Sequence, residues 1–187
     1  MPLPPIEERA LRAVGARRRS PGVPTTGGIV RTLRELAKES PALVAVFDAH
    51  AIGGERHLLS AWAHLGRARS RGEVRLRDRG AEFALYVAGD DQLPRALAKV
   101  GVSEASEQFV VVAEKPQDPI ALCARFELDD DPTAYPRPVD ESTLERLGIR
   151  PEERTAVPRS AWEGLVLERV ALVDLSAPAG RGGGQKH

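Results

Sequence analysis

Phe109-Val110-Val111-Val112-Ala113 decides how this chain folds, because so short an apolar run between two helical patterns reads as a strand. Upstream, residues 92–100 repeat at helical spacing and stop at Gly101; downstream, residues 119–126 form another helical stretch. Residues 43–47 and 83–87 are similar apolar runs, and each is predicted as a strand. Ile29, Leu33 and Leu36 repeat at helical spacing after Thr25 and Thr26, which can cap. Residues 55–69 are helical, with Leu58, Ala61, Trp62 and Leu65 on one face. Asp140 caps a short helix through Leu147, which Gly148 ends, and residues 158–169 form a final helix running into 170–175 as further turns or an edge strand. Residues 74–79 are expected as a strand or loop edge, and the acidic, then proline-bearing stretch 128–138 as a long loop. Helices mixed irregularly with short strands predict an α+β fold: one domain with a small mixed or antiparallel sheet packed by several helices.

The expected domain spans residues 25–175. Residues 1–24 read as a peripheral extension, with a helix over 6–19 that Pro21, Gly22 and Pro24 break. Residues 176–187, with Gly182-Gly183-Gly184, read as a flexible tail. At 187 residues the chain has room for a real core. One cysteine excludes a disulfide framework and any cysteine-based zinc site. No apolar run is long enough to span a membrane, and the start lacks a signal-peptide core, so a soluble, cytoplasmic protein with no membrane partner is expected.

The net charge of zero hides a split. Residues 1–79 hold 15 Lys or Arg against 8 Asp or Glu, and the remainder holds 12 against 19. Such asymmetry favours phosphates on one surface and repels them on another. There are 23 Arg, 4 Lys and no Asn, a bias that a thermophile and a GC-rich genome produce alike.

No catalytic motif stands out. Cys123 lies in an apolar helix and reads as a buried thiol. Gly27-Gly28 and Gly53-Gly54 precede helices without the rest of a phosphate-loop fingerprint. Asp129-Asp130-Asp131 lacks the spaced ligands of a calcium loop and reads as a solvated acidic loop. His50, His57 and His64 recur every seven residues, which is about 10 Å along a helix and too far for shared metal ligation. No cofactor is expected.

The helix face Arg56, Ser60, His64 and Arg67, flanked by His57, continues into Arg69, Arg71, Arg75, Arg77 and Arg79. That cluster is a phosphate-tracking patch or a solvated surface. In the last helix Trp162, Leu165 and Val166 form one apolar stripe, whereas Leu167 and Ala171 point elsewhere and Val170 lies between. Two apolar faces mean full burial or a partner on the outer one.

Four segments in order, Phe47-Asp48-Ala49-His50, Arg56-His57-Leu58-Leu59-Ser60-Ala61-Trp62, the stretch 82–102 around Ala88-Gly89-Asp90-Asp91-Gln92, and the ending 166–175, resemble the TPRKB family, the kinase-binding accessory subunits of the KEOPS complex. The similarity covers roughly residues 28–175 without 129–138. It implies a non-catalytic subunit that docks on the small atypical kinase of that complex, reaches its other subunits indirectly, and supports threonylcarbamoyladenosine formation in tRNA, with tRNA as a second partner. On that basis Trp162, Leu165, Val166, Arg169 and Val170 are expected to face the kinase. Arg56, His57, His64, Arg67, Arg69, Arg71, Gly89 and Gln92 are expected to face tRNA. The chain departs from archaeal relatives at Tyr86, Ala88 and Asp91, where they carry Arg, Ser and Arg. The alternatives are a stand-alone RNA-binding protein, or a small hydrolase or transferase built on Cys123 or the three Asp.

Overall fold

The computed structural model describes residues 10–176. Four strands, β1 (Leu11–Arg18), β2 (Val44–Asp48), β3 (Gln108–Glu114) and β4 (Leu128–Asp130), form one antiparallel sheet in the order β2-β3-β1-β4. Eight α-helices among the described residues surround it: α1 (Thr26–Glu39), α2 (Glu55–Ser70), α3 (Arg79–Ala88), α4 (Leu93–Val100), α5 (Pro119–Arg125), α6 (Glu141–Arg146), α7 (Pro151–Thr155) and α8 (Trp162–Leu175). The fold is α+β.

β3 explains why its sequence has no polar alternation. Val110 and Val112 enter a core with Phe47, Leu58, Leu65, Phe83 and Val170, whereas Phe109, Val111 and Ala113 enter a second core with Ile29, Leu36, Leu122 and Phe126. Both faces of the sheet are covered, so every one of these strand residues is apolar. α1 and α5 cover one face; α2, α3 and α8 cover the other.

Two predicted elements are corrected. Residues 83–87 are helical, within α3: Asp78 caps it by accepting from the Ala81 N–H (3.0 Å), and Gly89 closes it with φ +62°. From Glu82 to Ala88 every residue is buried, so neither helical nor strand periodicity is visible in the run. Of the helix expected over 6–19, the described part is instead β1, whose residues Leu11–Arg17 pair with β3 while Ala16–Arg18 pair with β4. Residues 10–24 are therefore part of the domain and not a peripheral extension; residues 1–9 and the tail 177–187 lie outside the described residues. Gly15 explains the strand. A Cβ there would lie 2.3 Å from the Asp131 carbonyl oxygen, so only glycine admits the 131–135 turn against β1. The stretch 128–138 is shorter as a loop than expected because β4 occupies its start, and 74–79 forms no strand.

Arg18 ends β1 inside the protein. Its guanidinium donates to the carbonyls of Ser106 (2.7 Å), Ser103 and Glu104 (both 3.1 Å) and Pro24, over the Phe109 ring. Burying this cation is tolerable because carbonyl oxygens replace its water.

Candidate docking helix and basic surface

α8 sits on α2 and α3. Trp162, Val166, Val170 and Val173, spaced four, four and three residues, form its inner stripe and are buried. Its C-terminal half is anchored twice. His64 Nδ1 bonds Asp174 Oδ2 at 2.6 Å, and the Arg75 guanidinium donates to the Val173 carbonyl at 2.6 Å, satisfying one oxygen of the last turn. Gly89 admits the crossing of α3 and α8: a Cβ there would lie 2.7 Å from Arg169 Cβ and 2.8 Å from its carbonyl oxygen.

This geometry corrects the expected kinase face. Val166 and Val170 are fully buried and Trp162 nearly so, with its indole N–H donating to the Arg154 carbonyl. Leu165 is half-buried; Arg169 is half-buried and pairs with Glu153 at 2.6 Å. The apolar surface that the helix offers is its other flank, Ala171, Leu172 (42 % exposed) and Leu175 (80 %). The residues of this ending carried the signal, since 171, 172 and 175 share a face opposite 166, 170 and 173.

The expected tRNA residues do not form one surface. His57 is a core side chain: its Nδ1 accepts from the Gly53 N–H (3.0 Å) and its Nε2 donates to the Val87 carbonyl (2.8 Å). Burial lowers its pKa to about 4, against a smaller opposing push from the Val87 bond, so it is neutral in the folded protein. Arg69 turns inward onto the buried Glu82 carboxylate (2.7 Å) and the Leu76 carbonyl. His64 is committed to Asp174 and stacks on Tyr86. Gly89 faces α8. Arg56 pairs with Glu163 (2.6 Å) and Arg71 with Glu73 (2.7 Å), both in solvent, where such pairs exchange readily for another anion. Arg67 is exposed, as is Gln92.

The start of α4, where helix N–H groups would welcome a phosphate, already holds an anion. Asp90 Oδ1 accepts from the Gln92 N–H (3.0 Å), and its carboxylate also meets Arg95 (2.9 Å) and Lys99 (3.0 Å). Burial alone would raise the Asp90 pKa, but bonds from Arg95, Gln92 and Lys99 outweigh it and hold the carboxyl at about 2. The positive charge of this turn is thus spent internally.

Phe47-Asp48-Ala49-His50 is a structural corner. Asp48 is buried and accepts from the Ser106 hydroxyl (2.6 Å) and the His50 N–H (2.9 Å), capping the short turn Ala49–Ala51. Cys123 is buried, its thiol donating to the Pro119 carbonyl, and burial with nearby Asp130 and Asp118 pushes its pKa up to about 11. A thiol so held is a poor nucleophile at neutral pH. Asp129 pairs with Arg19, while Asp131 accepts from Thr133 and Gln108, and among the described residues no group of His, Cys, Asp and Glu converges to hold a metal ion. No described helix is long and apolar enough to cross a membrane. No protein-family model matches this chain, and no curated protein matches it.

Proposed function

We propose that this chain is a non-catalytic accessory subunit of the KEOPS type, binding that complex's atypical kinase in the cytoplasm and supporting threonylcarbamoyladenosine modification of tRNA. The reading rests on the resemblance of four ordered segments, and one observation carries it to a surface. α8 uses one side for the core and leaves Ala171, Leu172 and Leu175 in water on the other. Full burial of an exposed leucine is worth about 1.5–3 kcal/mol. Drying Leu175 (80 % exposed) against a partner recovers most of that and Leu172 (42 % exposed) under half, together enough for a small docking site. Recruitment of tRNA falls to Arg67, Arg71 and Arg56, the expected cations that solvent can reach.

Leu172→Asp and Leu175→Asp, tested against the KEOPS kinase subunit by calorimetry, should each weaken binding at least tenfold while the melting temperature stays unchanged. Unaltered affinity in the double variant refutes docking through this flank. For tRNA, Arg56, Arg67 and Arg71 changed together to Ala should lower the salt slope of binding by about 0.7–0.9 for each phosphate that is no longer neutralised. An unchanged slope removes the tRNA role of these three arginines.

A further inference from the structure

A groove of about 600 Å³ runs between α1, the edge strand β2, the start of α3 and Leu97 of α4. It shares no residue with the outer flank of α8. Its walls are aliphatic: Leu33 and Ala37 from α1, Val44 from β2, Ala81 from α3, and Leu97, which is 48 % exposed. β2 is an edge of the sheet, yet strand addition is blocked there. Gly80 lies over the Val44 carbonyl so closely that a Cβ would come within 2.5 Å of the oxygen. An occupant therefore packs on side chains instead of pairing with the strand.

The rim is cationic. Arg34 and Arg77 are exposed and, among the described residues, have no carboxylate within ion-pair distance. Arg79 pairs with Glu114 at 2.5 Å but keeps a buried Nε with no hydrogen-bond acceptor. The lining carboxylate, Asp78, is committed to capping α3. Aliphatic walls under unmatched arginines fit carboxylates attached to aliphatic side chains. Nucleic acid fits less well, because the lining aromatic ring, Phe47, is 2 % exposed and offers bases no platform.

We infer that this groove is a second docking site, one that takes a short peptide segment of a partner protein in which Leu, Ile or Met side chains are flanked by Asp or Glu. The test is selection of displayed random 16-residue peptides on the full chain, with counter-selection on the Arg34→Glu/Arg77→Glu variant. Enriched peptides should combine aliphatic and acidic residues. Made synthetically, they should bind at least tenfold more weakly to that variant and to Leu97→Asp, whose exposed positions leave the melting temperature unchanged. Absence of enrichment overturns the inference, as does equal binding to the variants. Displacement of the peptides by an oligouridylate 12-mer at comparable affinity also overturns it and assigns the groove to RNA.

Discussion

α3 and α8 are nearly equal in apolar content, and they end differently. α3 is wrapped on every side: Glu82 to Ala88 are all buried, and even Glu82 hides its charge against Arg69. α8 lies at the margin of the same core, burying Trp162, Val166, Val170 and Val173 while Leu172 and Leu175 stay in water. Apolar residues on two faces of a helix do not decide whether it is central or peripheral. Its neighbours do, and a helix with neighbours on one side only keeps a sticky flank that a partner can use.

The sharpest way to break this contrast is to place a charge on each side of α8. Val170→Asp buries an unpaired carboxylate between α2, α3 and α8 and should cost about 4 kcal/mol or more, seen as loss of the cooperative melt. Next in size is the pH response of His57, which joins α2 to the end of α3. Its pKa is near 4 when folded against an ordinary 6.5, so the unfolded chain binds the extra proton between those values. Stability is complete above pH 6.5 and should fall by about 3 kcal/mol as pH drops to 4, measured by urea denaturation. His57→Gln should flatten that slope. Asp90 acts in the same direction at lower pH: its carboxyl is held near 2 when folded, so its contribution is lost only as pH falls below about 4.

Gly89→Ala sharpens the comparison at the point where the two helices cross. A left-handed φ and a Cβ within 2.8 Å of the Arg169 backbone should together cost about 2 kcal/mol in a thermal or urea melt. The smallest stability effect belongs to the outer flank, where Leu172→Asp should change unfolding free energy by no more than about 0.5 kcal/mol. If that variant unfolds, the flank belongs to the core after all.

Strong caps and short apolar runs made much of this fold legible. Thr25, Asp140 and Gly148 bound their helices where the residues suggested, and residues 43–47 and 109–113 are strands in the sheet. The strand expected over 83–87 illustrates the limit, since a run buried on all sides carries no period, although Asp78 and Gly89 were cap signals. β1 illustrates another limit. Leu11 to Arg18 has ordinary helical propensity, and pairing with β3 on one side and β4 on the other overrides it. Of the expected tRNA residues, a helical wheel correctly places Arg56 and Arg67 in solvent but cannot reveal that Arg69 reaches a buried Glu82 thirteen positions away.

By itself, the sequence determined the α+β class, the caps, the buried character of Cys123 and the presence of a last helix with more apolar surface than one face requires. Only the tertiary structure decided which flank of that helix meets water, which arginines remain available, and that an aliphatic groove opens beneath Arg34 and Arg77. The physical reason is range. Caps and periodicity act within a turn or two of the chain, whereas burial and ion pairing depend on which distant segments arrive alongside.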